Sequence, residues 1–288
     1  MTNIFLPKIS IVTPSFNQGK YIERTIQSVI SQKYENLEYI IIDGGSSDDS
    51  VKIIQLYESS LAYWVSERDS GQSNAINKGF SHATGTLFGW LNSDDCLTDG
   101  ALHNIAEMFQ QNPQAGAFVG AGEYVDTKER ILLRKEPSEV TFESLYNWLE
   151  VFHFMQPSCF FSREAWNCAG GLDESLHYAM DLDLWFKIAE RFTFERSDKL
   201  FSRSLIHASA KTKRNKYLSE VTAAFVIMKH GGNQQARLAL DNIAIKMDYF
   251  EYCITFITES RVFNALLPKM KRIIRYDKLF SKNSDSKN

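Results

Sequence analysis

The chain has 288 residues, 44% hydrophobic and 23% charged, with a formal net charge of −3. Those globular proportions exclude a disordered or collagen-like chain, and the near balance of charge argues against a surface wholly given to nucleic acid. No apolar run reaches the ~20 residues of a bilayer-spanning helix, and residues 1–8 lack the basic start and apolar core of a signal peptide. The expectation is a cytoplasmic protein of one large domain, or of one domain plus an appendage. Cys96, Cys159, Cys168 and Cys253 show neither C-x-x-C nor knuckle spacing, so they read as buried small hydrophobes in a reducing compartment. The absence of any N-x-S/T sequon agrees with that.

The first half alternates β-rich runs with helical spacing. Ile9-Ser10-Ile11-Val12 predicts a strand ending at Thr13-Pro14-Ser15, after which Tyr21, Ile22, Ile26, Val29 and Ile30 fall on one helical stripe. Tyr39-Ile40-Ile41-Ile42 predicts a strand buried on both faces, ending at Asp43-Gly44-Gly45. A helix from Ser47 or Asp48 turns Val51, Ile54 and Tyr57 inward, and Ala62-Tyr63-Trp64-Val65 is a third strand. Next come a short helix with Ala75, Ile76, Gly79 and Phe80 on one side, the strand Leu87-Phe88-Gly89-Trp90-Leu91, and a helix carrying Leu102, Ile105, Ala106 and Phe109. This β-α-β-α order implies an α/β, Rossmann-like, mostly parallel sheet flanked by helices. Later come two strands around a turn within 120–133, a helical stretch at 142–148 and a strand at Cys159-Phe160-Phe161. A helix over 181–192, an edge strand at 200–207 and two C-terminal helices broken at Gly231-Gly232 complete the chain.

Ligands of such sheets bind beyond the carboxyl ends of the strands. Thr13-Pro14-Ser15, Asp43, residues 67–69 and Asn92-Ser93-Asp94-Asp95 lie there. Adjacent carboxylates after an apolar strand suit a hard divalent cation, Mn²⁺ or Mg²⁺, bridging to phosphates; they equally suit a helix N-cap. Asp43-Gly44-Gly45-Ser46-Ser47-Asp48-Asp49 offers glycines for close approach and amides for an anion, or else a turn and cap. Residues 66–72 lead into Ala75-Ile76-Asn77-Lys78-Gly79. Gly170-Gly171-Leu172-Asp173-Glu174 precedes Met180-Asp181-Leu182-Asp183-Leu184-Trp185, where an acid opens an amphipathic helix and a capping role is the alternative.

In order and spacing, residues 8–210 resemble the family 2 glycosyltransferases, which use the GT-A fold. The resemblance implies nucleotide contacts from Thr13, Pro14 and Ser15 within Thr13-Pro14-Ser15-Phe16-Asn17, a uracil-binding acid at Asp43, and further nucleotide contacts from Asp69 and Asn77. Asn92-Ser93-Asp94 stands where that family carries D-x-D: Asn92 and Ser93 would face the donor, and Asp94, helped by Asp95, the metal. The 170–174 segment looks like the acceptor-side glycines, and Asp181 like the catalytic acid. His207, followed by Ser209, Lys211 and Thr212, resembles a C-terminal histidine that closes over the diphosphate and metal; a polar surface histidine is the alternative. Two departures stand out: Asn92 where Asp is usual, and Met180 where an acidic pair is common.

The resemblance thus implies an inverting, metal-dependent transfer from a nucleotide-diphosphate sugar, a UDP-sugar on the strength of the Asp43 segment. The acceptor would be a saccharide or lipid-linked hydroxyl in cell-surface polysaccharide or glycolipid assembly. A non-catalytic nucleotide-sugar-binding or scaffold protein of the same fold is the rival, favoured by Asn92 and Met180. The expected division is a GT-A domain over 1–212 and a helical appendage with a basic tail over 213–288. Seven basic and two acidic residues give 266–288 a charge of +5, against −8 for the rest. With apolar residues interleaved, that tail suits peripheral contact with the inner face of an anionic membrane, or is simply solvated. Nucleic acid is not expected, since no binding module accompanies the charge.

Overall fold

In the computed structural model, which describes residues 6–207 and 215–259, nine strands join in one sheet. At its heart β1 (Ile9–Ser15) lies between β2 (Leu37–Asp43) and β4 (Leu87–Trp90), with β3 (Tyr63–Ser66) beyond β2, all parallel. Every residue of β1 is buried, because helices cover both faces of the sheet. On one face α1 (Ile22–Ile30) and α2 (Ser50–Leu56) bring Ile22, Ile26, Val29 and Ile54 onto Ile9, Ile11, Tyr39 and Ile41. On the other lies α3 (Gln72–His82), so close that a Cβ on Gly79 would stand 2.4 Å from Val12 Cγ1.

Beyond β4 the sheet turns mixed. β8 (Cys159–Ser162) is antiparallel to β4, and β6 (Ala117–Val125) is antiparallel to β8. β9 (Phe194–Leu205) runs parallel with β6, and β5 (Asp95–Leu97) closes the row antiparallel to β9. β7 (Ile131–Lys135) hairpins back on β6. The result is a mixed, mostly parallel sheet flanked by helices, as expected. The remaining helices are α4 (Ala101–Gln111), α5 (Arg163–Ala169), α6 (Met180–Ala189), α7 (Lys216–Lys229) and α8 (Asn233–Glu259).

Three details differ from the sequence expectation. The strand expected at 200–207 begins at Phe194 and lies inside the sheet between β6 and β5 rather than at an edge. Its half-exposed first part, with Glu195, Arg196, Asp198 and Lys199, hides the alternation. The stretch at 142–148 makes only a 3₁₀ turn, Ser144–Asn147. β5 and α5 have too few residues to show a period.

An aromatic block packs α3, α5 and α6 onto the sheet. Trp185 of α6 stacks on Trp90 of β4 with centroids 5.6 Å apart and planes within 5°, and both rings are buried. Phe80, Phe161 and Trp166 fill the rest of this layer. Each buried ring contributes about 1.5–3 kcal/mol, so α6 is fixed against the strand that leads to Asn92.

The chain divides into two compact units, one ending at Arg237 and the next beginning at Leu238. The first takes in α7 and so extends past 212/213. No helix among the described residues is long and apolar enough to cross a membrane. The basic tail, 266–288, and Ser209, Lys211 and Thr212 lie outside the described residues.

Candidate active site

β1 and β2 end in register, Ser15 beside Asp43, and the Gly44 amide donates to Ser15 O at 2.8 Å. Asp43 is buried and organises the turn that follows. Its Oδ2 accepts from the Gly45 and Ser46 amides (3.1 and 2.8 Å) and the Ser66 hydroxyl (2.7 Å), its Oδ1 from the Ser46 hydroxyl (2.6 Å). Gly45, at φ +80°, takes a conformation that side chains resist. Asp69 crowds the same turn: a Cβ on Gly44 would lie 2.7 Å from Asp69 Oδ2, while Asp69 Oδ1 accepts the Gly71 amide at 2.9 Å. The fold thus brings Asp43 and Asp69 together. Asn17, at φ +52°, ties this turn to the end of β1 by accepting the Ser47 amide at 2.9 Å, beside an exposed Phe16. Thr13 is buried, with its hydroxyl 3.1 Å from Tyr39 OH. Pro14 sits in the β1–β2 ladder opposite Ile42, and Ser15 buries a hydroxyl that finds no partner among the described residues.

After β4 the chain passes through Asn92, Ser93 and Asp94 into β5. Asn92 is fully engaged: its Oδ1 accepts from Gln72 Nε2 at 2.7 Å, and its Nδ2 donates to Asp95 Oδ2 (3.1 Å) and Gln156 Oε1 (3.0 Å). Ser93 is buried. Asp95 pairs with Ser204 in the β5–β9 ladder, and its carboxylate is buried against Asn92 and the Ser204 hydroxyl. Burial, and next the charge of Asp94, push its pKa up to about 7, and its Oδ2 accepts from Asn92 Nδ2. Asp94 meets His207, which follows β9: Nε2 lies 2.9 Å from Asp94 Oδ2, and the ring packs on Tyr21 at 4.6 Å. A carboxylate and an imidazole at this separation suit a divalent cation. Among the described residues no third histidine, cysteine or acid joins them; Mg²⁺ and its like commonly use one or two protein ligands plus substrate phosphates.

The catalytic-acid candidate reaches the same edge through α3 and α6. Gln72 of α3 holds Asn92, and the hydroxyl of its neighbour Ser73 lies 2.7 Å from Met180 Sδ, which links the start of α6 to the start of α3. Ala179, at φ +54°, turns the chain into α6, and Asp181 Oδ1 accepts the Leu182 amide at 2.9 Å. The Cys159 thiol, buried and near Asp181, has its pKa raised by burial first and then by that charge. Asn77 of α3 reaches the 170–174 loop. Its amide accepts the Leu172 N–H (3.0 Å) and donates to Leu172 O (3.0 Å) and Glu174 Oε1 (2.9 Å), which fastens the 170–174 loop. Gly170 and Gly171, at φ +72° and +78°, give that loop its path.

Residues 10–169 match the model for glycosyl transferase family 2. The chain belongs to that family. An uncharacterized glycosyltransferase of Rickettsia prowazekii is 28% identical over 220 residues, covering 73% of this chain and 67% of that one. Among solved structures, S. aureus TarS 1–349 in complex with UDP-GlcNAc superimposes with a TM-score of 0.59 at 17% identity, over 88% of this chain and 76% of that one. Mannosyltransferase PcManGT from Pyrobaculum calidifontis, in complex with GDP-Man and Mn²⁺, gives 0.56 at 18%, over 97% and 84%. The fold is GT-A. Sequence reading of this family 2 site missed Gln156, which holds Asn92 and the Trp90 carbonyl; a lone glutamine before a proline carries no signal. Gln72 lay within a segment already marked as polar after a strand.

Proposed function

We propose that this glycosyltransferase moves a sugar from a nucleotide-diphosphate donor to an acceptor hydroxyl with inversion, and that the donor is a UDP-sugar. The observation that carries this reading is the Asp94–His207 pair, 2.9 Å apart at the carboxyl edge of the sheet. Asp94 and His207 would hold Mn²⁺ or Mg²⁺, which when bound supplies Lewis-acid stabilisation of the departing diphosphate. The ligands of TarS and PcManGT, UDP-GlcNAc and GDP-Man with Mn²⁺, support a nucleotide-sugar donor and a metal. Asp43, Asp69 and the Phe16–Asn17 corner form the nucleotide side. Asp181 is the base: as the anomeric carbon–phosphate oxygen bond breaks and the acceptor oxygen bonds to that carbon from the opposite face, its carboxylate takes the hydroxyl proton. The acceptor is a saccharide or lipid-linked glycan in cell-surface polysaccharide or glycolipid assembly, met on the side of the 170–174 loop.

The test is release of free nucleotide from a panel of UDP-, GDP- and dTDP-sugars, with Mn²⁺ and with EDTA. Release from a UDP-sugar that needs the metal is expected. Binding without release from any donor, with metal present, would favour a non-catalytic sugar-nucleotide binder.

A further inference from the structure

Asp183 lies two residues past Asp181 in the first turn of α6 and is fully buried. An ionised carboxylate at that depth is costly unless cations meet it. Three do. Lys187, one helical turn on, stands 2.8 Å from its Oδ2. Lys229 and His230, at the C-terminal end of α7, each stand 2.9 Å from its Oδ1. Burial would raise the Asp183 pKa, but His230, Lys187 and Lys229 outweigh it and hold the carboxyl well below the usual range.

The same cations also hold the acceptor-side loop. Lys229 reaches Asp173 Oδ2 at 3.1 Å and Lys187 the Gly171 carbonyl at 3.3 Å. The end of α7 is itself fixed. The His230 ring stacks on Phe186 at 4.6 Å, its carbonyl accepts from Tyr146 OH at 3.0 Å, and a Cβ on Gly232 would come within 2.4 Å of Tyr146 Cδ1.

The first turn of α6 requires such support. It follows Ala179 at φ +54°, a left-handed conformation that non-glycine residues resist. Displacing a reacting group by about 1 Å is enough to lose ~10²-fold in rate.

We propose that Asp183, clamped by Lys229 and His230, is a positioning residue for the Asp181 carboxylate, so that α7 sets the geometry of the base without touching substrate. The inference rests on the reading of Asp181 as the base. It makes α7 part of the working enzyme.

Asp183→Asn is the direct change, and Lys229→Met, on a side chain 48% exposed, is the milder one. Each is compared with the full chain in two measurements. The first is nucleotide release from UDP-N-acetylglucosamine and from GDP-mannose with Mn²⁺; the second is amide hydrogen exchange, which needs no donor. Lys229→Met is expected to lower kcat at least tenfold with donor KM within twofold, and Lys229→Arg to recover most of the loss. In an Asp181→Asn background Lys229→Met should cost nothing further, because there is no base left to position. Amides of residues 180–184 should exchange at least tenfold faster in Lys229→Met, with those of β1 and β2 unchanged. An unchanged kcat in Lys229→Met, the same loss with and without Asp181, or unchanged exchange at 180–184 would overturn the clamp. A wild-type rate in Asp181→Asn would instead remove the base assignment, and the exchange result would then decide whether the clamp holds α6.

Discussion

Asp181 and Asp183, two acids of one helical turn, lie in different surroundings. Asp183 is buried among lysine ammonium groups, whereas Asp181 is half-buried and accepts the Leu182 amide. Replacing Asp181 with Asn keeps the shape and removes the proton acceptor, so turnover should fall by about 10²-fold or more while donor affinity, read by calorimetry, stays within twofold. Glu38 gives the pH counterpart. Burial would raise its carboxyl; the Lys8 ammonium, the Ser10 hydroxyl and the amide and hydroxyl of Thr84 prevail and hold it at about 2, below the ordinary 4.5. A carboxyl lowered on folding adds stability that is complete above about 4.5 and lost as the pH falls towards about 2, at most on the order of 3 kcal/mol. Glu38→Gln should therefore lower the melting temperature at pH 7 and flatten its decline between pH 4.5 and 2, as followed by circular dichroism.

At the scale of elements, the close approach of α3 to β1 sets a demand on Gly79. Its Cβ site lies 2.4 Å from Val12 Cγ1 and 3.3 Å from Ile42 Cγ1, both in packed strands. Gly79→Ala should cost roughly 1–3 kcal/mol in urea unfolding, because neither strand can retreat. The same packing explains what could be read in advance. β1, β2 and α1 declare themselves because each buries a regular apolar set. β5 is three residues long and β9 begins with charged residues, so their pairing depends on the sheet around them. The acids at strand ends were legible as candidates, but their partners were not. Asn77 meets Leu172 across 95 positions and Asp94 meets His207 across 113, separations that no local pattern encodes. Likewise no local pattern shows that Asn77 fastens the 170–174 loop or that the Thr13 hydroxyl lies against a tyrosine.

At the scale of the molecule, the parallel half of the sheet supplies Asp43 and Asp69, and the mixed half supplies His207 after β9. Asp94, at the crossover between β4 and β5, is where the two halves meet. The proposed activation of the donor depends on a metal held there. The measurement that tests it most directly is calorimetric titration of UDP into the wild-type protein and into Asp94→Ala, each with Mn²⁺ and with EDTA. The wild type is expected to bind at least tenfold more tightly with Mn²⁺, a difference of about 1.4 kcal/mol, and Asp94→Ala to lose that gain. Equal affinity in Mn²⁺ and EDTA, or a Mn²⁺ gain preserved in Asp94→Ala, would contradict a metal held by Asp94 at the donor diphosphate.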